Sequence, residues 1–153
     1  MSNFSQSNRM NPIRLTSFLP WSALVSLLAA LFLTGCGKPP YQDVDATQLR
    51  ELIAQGVPIY DIRRPEEWRQ TGVVAGSRLL TWVDASGRPR AGFHETLASE
   101  IPRDQPVVLI CRTGNRTDHL ARELMEKYGY TRVYNVTHGI TRWISGGNPV
   151  VRP

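Results

Sequence analysis

Val107-Val108-Leu109-Ile110-Cys111-Arg112-Thr113-Gly114-Asn115-Arg116-Thr117 is the stretch on which the reading of this chain turns. The first four residues are an unbroken apolar, largely β-branched run, the pattern of a strand buried on both faces. Leu120, Ala121, Leu124 and Tyr128 then recur at helical spacing until Gly129, so a helix follows the strand within a few residues. Cys111 therefore stands at the carboxyl end of a buried strand, where crevices open in parallel α/β sheets. The intervening loop is short, polar and twice cationic. Gly114 allows a sharp backbone turn that lets N–H groups face the sulfur, and the helix start adds a partial positive charge. Such a setting favours thiolate, the nucleophilic form of cysteine. A buried structural cysteine, the commoner fate of a free thiol, would not explain two arginines and a glycine in the next five residues.

The same alternation extends outward in both directions. Asp45 with Gln48 reads as a capping box opening a helix whose Leu49, Leu52 and Ile53 share one face before Gly56. Pro58–Ile62 is a short strand, and Pro65 suits the first turn of a brief helix through Trp68. Val133–Val136 is a further strand, with a helix from about Ile140 to Ser145, while Asp84–Gly87 is a turn in an irregular stretch from Trp82 to Gly92. Repeated β-α units predict an α/β fold: one parallel β-sheet with helices on both faces. Asp61 is expected to accept backbone hydrogen bonds at its strand end.

With 153 residues there is room for one domain and little more. The formal charge of +5 includes Arg9 and Arg14 from an N-terminal stretch without acids. What remains is a mild positive balance with cations and acids interspersed, so no basic stripe for nucleic acid is formed. His94, His119 and His138 lack metal-ligand spacing, and no metal or cofactor is implied. Trp68, Trp82 and Trp143 read as core or rim aromatics.

The N-terminus reads as an address. Arg9 and Arg14 precede a charge-free apolar run, Phe18–Leu33, ending in Leu33-Thr34-Gly35-Cys36, which has the shape of a secretory leader. Its last four residues resemble a bacterial lipobox. That resemblance implies lipidation of Cys36 and cleavage before it, with residues 1–35 as signal peptide, 36–43 as tether and 44–151 as the folded domain. The expected location is the bacterial cell envelope, with Gly37 favouring the outer membrane on its periplasmic side; the membrane partner is reached through the lipid.

Three separated motifs, in order, resemble the rhodanese family over about residues 44–151. They are Cys111–Thr117 as the active loop, Asp61-Ile62-Arg63-Arg64-Pro65-Glu66-Glu67-Trp68 upstream, and the tail from Gly129-Tyr130 through Val133–Val136, Gly139, Trp143 and Gly147–Val150. The resemblance implies a doubly wound rhodanese fold and a ping-pong sulfurtransferase reaction through a Cys111 persulfide. A small anionic donor such as thiosulfate and a thiophilic acceptor are the implied partners. Cys111 is the catalytic candidate. Arg116, then Arg112, with Thr113, Gly114, Asn115, Thr117 and Arg63 form the candidate substrate-binding set, although Arg63 and Arg64 could face either solvent or pocket. The chain departs from the family at Val73 and Ala75, where His and Pro are frequent, and at His138, where Gly is common. Rival readings are a non-catalytic interaction module and a cysteine phosphatase or arsenate reductase. Four residues separate Cys111 from Arg116, against five in phosphatases of related fold, so the loop suits one sulfur atom better than a phosphate.

Overall fold

The computed structural model describes residues 38–153. The apolar run and Cys36, with their expected leader and lipid, lie outside the described residues.

Five strands, β1 (Gln42–Val44), β2 (Ile59–Asp61), β3 (Arg78–Leu79), β4 (Val107–Ile110) and β5 (Val133–Val136), form one sheet in the order β1-β5-β4-β2-β3. Every pairing is parallel. Helices α1 (Ala46–Ala54), α2 (Pro65–Thr71), α3 (Phe93–Glu100), α4 (Asn115–Tyr128) and α5 (Gly139–Ser145) link and flank the strands. The expected α/β architecture with a parallel, helix-flanked sheet is therefore the one observed.

Alternation along β4 shows how the two faces are filled. Val107 and Leu109 join Ile62, Phe93, Leu97, Leu120 and Leu124 on one side, whereas Val108 and Ile110 join Val44, Leu49, Leu52, Ile140 and Trp143 on the other. This is the two-residue period of a strand, and it carries Cys111 into the first of these cores. Helix α1 begins as its sequence dictates: the Asp45 carboxylate accepts the N–H groups of Thr47 at 2.8 Å and Gln48 at 2.9 Å, and Gln48 Oε1 accepts that of Asp45 at 3.0 Å. The Asp84 turn also forms, with Gly87 N–H on the Asp84 carbonyl at 3.0 Å.

Three elements have no counterpart in the sequence reading: β1, β3 and α3. β1 begins inside the segment read as tether, since Gln42 and Asp43 pair with Tyr134 and Asn135. β4 lies at the centre, with β2 on one side and β5 on the other. The chain leaves β2 for β3 and β4 for β5, in opposite directions, so the carboxyl ends of β2 and β4 flank a topological switch point. No helix among the described residues is long and apolar enough to cross a membrane.

Candidate active site

Cys111 follows the last residue of β4, and its side chain is 0% exposed. The chain reverses over it: Gly114 takes φ +91° and donates its N–H to Cys111 Sγ at 3.2 Å. A side chain at Gly114 would be strained and would place Cβ 3.0 Å from the His138 nitrogen. Helix α4 opens directly afterwards, and its first amides, those of Asn115, Arg116 and Thr117, have no earlier helical carbonyl to bond. They supply positive potential around the sulfur. Of the N–H groups expected to converge on it, only that of Gly114 hydrogen-bonds the sulfur itself.

The loop is fixed from behind by the start of α5. Ile140 N–H donates to the Cys111 carbonyl at 2.9 Å, and Thr141 donates its N–H and hydroxyl to the Arg112 carbonyl at 3.1 and 2.8 Å. This approach leaves no room at Gly139, where a Cβ would stand 2.3 Å from the Cys111 oxygen. It also puts His138 at φ +61°, the one non-glycine in the left-handed region among the described residues. The departure noted at His138 thus falls where glycine would be relaxed.

The candidate binding residues separate into groups. Thr117 is fully buried beneath the sulfur, its Oγ1 3.5 Å from Sγ. Thr113 and Asn115 are exposed, and with Gly114, Asn135 and His138 they line a shallow cavity of about 180 Å³. Arg112 is exposed and makes no ion pair or side-chain hydrogen bond among the described residues. Arg116 is committed elsewhere: its two terminal nitrogens donate to the Glu67 carboxylate at 2.8 and 2.6 Å. Glu67 also accepts the Arg64 N–H at 3.0 Å. Burial works to raise the Glu67 pKa, but the hydrogen bonds and charge of Arg116 and the Arg64 amide outweigh it and hold the carboxyl at about 2. Glu67 in turn raises the Arg116 pKa.

Arg63 corrects the sequence reading. Its side chain is 0% exposed and bonds to both Asp61 oxygens, with Nη2 to Oδ2 at 2.6 Å, to Thr71 Oγ1 at 2.7 Å and to the Gly72 carbonyl at 2.9 Å. It braces the end of β2 against α2 and is closed to a solvent-borne anion. Asp61 accepts the Arg63 backbone N–H at 3.1 Å, as a strand-end carboxylate should, and carries this buried ion pair besides. Arg64 lies toward solvent, pairing with Glu66.

Two contributors had no assigned role in the sequence reading. Glu67 belongs to the upstream motif, but nothing in the local pattern couples it to Arg116. Asn135 is 5% exposed, and its Oδ1 accepts the Thr117 hydroxyl at 2.6 Å. A polar residue inside the apolar strand Val133–Val136 was the signal that could have found it.

The rhodanese-like domain model matches residues 45–145. The chain belongs to the rhodanese-like family, and this membership supports a sulfurtransferase-type enzymatic role. A protein described as "Sulfurtransferase" from Allochromatium vinosum is 34% identical over 113 residues, 72% of this chain and 95% of the relative. Thiosulfate sulfurtransferase 16 of Arabidopsis thaliana is 27% identical over 109 residues, 69% of this chain and 89% of the relative. Among solved structures, Rv0390 from M. tuberculosis superposes with a TM-score of 0.62 at 28% identity, over 74% of this chain and 99% of that one.

Proposed function

We propose that this protein moves sulfane sulfur from a small anionic donor, with thiosulfate as the model compound, to a thiophilic acceptor through a persulfide on Cys111. In the first half-reaction the Cys111 thiolate attacks the outer sulfur of thiosulfate. A sulfur–sulfur bond forms on the enzyme, that of thiosulfate breaks, and sulfite leaves with the electron pair. In the second, an acceptor such as cyanide takes the outer sulfur and returns the thiolate. The observation that carries this reading is the Gly114 N–H on Sγ at 3.2 Å, in a loop where α4 begins. Both features stabilise negative charge on sulfur without any cofactor.

Arg112 is the loop cation free to meet the donor, because Arg116 and Glu67 largely cancel one another. That pairing also supports sulfur transfer over phosphate-ester hydrolysis. Two N–H groups of Arg116 and its charge, which a phosphatase loop would offer to phosphate, are already given to a carboxylate. Intact-mass measurement after incubation with thiosulfate is the test. One added sulfur atom is expected on the wild type and none on Cys111→Ser, which should remain folded but lose thiosulfate-to-cyanide transfer. A Cys111→Ser protein retaining most of the activity would refute the assignment.

The lipobox resemblance supports a second proposal, that Cys36 is acylated and holds the domain at the bacterial envelope, on the periplasmic side of the outer membrane. Labelled palmitate should enter the wild type and be lost in Cys36→Ala. Equal labelling would overturn the anchor.

A further inference from the structure

We propose that Asp43 and Asn135 set the charge state of Cys111 by deciding where the Thr117 hydroxyl sends its single proton. This rests on Cys111 being the nucleophile. Three acceptors surround Thr117 Oγ1: the Gly114 carbonyl at 2.9 Å, Asn135 Oδ1 at 2.6 Å and Cys111 Sγ at 3.5 Å. A hydroxyl has one hydrogen to give and lone pairs with which to accept.

The outcome is decided two residues away. Asn135 Nδ2 lies 2.7 Å from Asp43 Oδ1. A carboxylate only accepts, so it draws the amide nitrogen of Asn135 and leaves the amide oxygen facing Thr117. Thr117 then donates to that oxygen, at the shortest of its three contacts, in preference to the Gly114 carbonyl at 2.9 Å. Its lone pair is left toward the sulfur, where it can accept from a thiol S–H but repels a thiolate. The sulfur thus has one neighbour favouring the anion, the Gly114 N–H, and one favouring the protonated form. When the sulfur is charged, the Thr117 hydroxyl turns from Asn135 to the sulfur, and Asn135 resists that turn. Asn135 and Asp43 are positioning residues that restrain thiolate reactivity in a loop otherwise built to promote it.

Other charged groups bear on the same sulfur. Arg116 attracts the thiolate and Asp61 lies in the field of the same guanidinium. Glu67 neutralises Arg116, Asp118 stands on the first turn of α4 and accepts the Tyr41 hydroxyl, and Arg112 and His138 flank the loop. All remain in place in the variants below.

The test is the pH profile of Cys111 alkylation by iodoacetamide, which requires no sulfur donor, so it can fail or succeed independently of persulfide formation. Asn135→Leu removes the closer of the two oxygens that compete with the sulfur, leaving only the Gly114 carbonyl, and should speed alkylation near neutral pH by up to about three- to tenfold, the worth of one hydrogen bond, displacing the profile to lower pH. Asp43→Ala, on the exposed edge strand, frees the Asn135 amide to turn its N–H toward Thr117 and should act in the same direction. It serves even if the buried substitution fails to fold. Asp43→Asn removes the charge but keeps an acceptor, and should stay near wild type. In a Thr117→Val background Asn135→Leu should have no further effect. Unchanged or slower alkylation in Asp43→Ala, equal acceleration by Asp43→Asn, or an Asn135→Leu effect that persists without the Thr117 hydroxyl would each overturn the inference.

Discussion

Replacing Glu67 by Gln should make this domain's stability lose the pH dependence that Arg116 and the Arg64 N–H together impose on one carboxyl. Glu67 is held at about 2, against an ordinary value of 4.5. A carboxyl depressed in the folded state stabilises fully above its unfolded value, and that benefit is lost as pH falls through the folded one. The displacement corresponds to about 3 kcal/mol if the pair were sealed from water. Arg116 retains 25% side-chain exposure, so solvent screening reduces the figure to roughly 2 kcal/mol. The interaction is counted once, since the rise at Arg116 and the depression at Glu67 are the same contact. Urea unfolding of wild type and Glu67→Gln at pH 7, 5, 3.5 and 2.5 is the assay. The difference between the proteins should be roughly 2 kcal/mol at pH 7 and 5, and should shrink to roughly a quarter of that by pH 2.5, just above the folded value. Other carboxylates titrate in both proteins and cancel in that difference. A gap that stays constant across the range would show that packing, and not the charged pair, is what the substitution removes.

Gly139→Ala should cost roughly 3 kcal/mol or more, because its Cβ would meet the Cys111 carbonyl; Gly87→Ala, with φ +81° and open space around it, should lose only about 1 kcal/mol. Equal losses in urea unfolding would refute the close approach of α5 to the active loop. His138→Gly should raise stability by about 1 kcal/mol by relaxing the left-handed backbone, read as an increase in Tm, and a decrease would show that the imidazole contributes more than the strain costs. Arg112→Ala should raise the KM for thiosulfate roughly three- to tenfold and flatten its dependence on added salt. A salt response identical to wild type would remove Arg112 from donor attraction.

The strand-loop-helix unit around Cys111 was legible because its information is local: an apolar run, a glycine and a helical stripe lie within 22 consecutive residues. The capping box at Asp45 and the turn at Asp84 were legible for the same reason. The missed elements carry weak local signals. β3 has two residues, both exposed, and β1 has three with only Val44 buried. α3 starts after Gly92 in a left-handed conformation with no side-chain cap, so the usual mark of a helix start is missing. Within the site, Glu67 and Arg116 are 49 positions apart, and only the pairing of β2 with β4 brings them together. The direction of Arg63 could not be read because Asp61, Thr71 and Gly72 surround it only once β2 and α2 have packed.

The placement of β1 has a consequence for when this molecule can exist at all. Its sole strand neighbour is β5, the last to emerge: Gln42 aligns with Tyr134 and Val44 with Val136. No hairpin in the sheet can form early and wait, since every pairing is parallel and must close a long loop. Folding should accordingly be slow for a domain of this size, and the first strand stays unlocked until nearly the whole chain has been released. A ribosome therefore handles a chain that has not yet completed its sheet, and the bonds from Ile140 and Thr141 that fix the thiol loop form only at the finish.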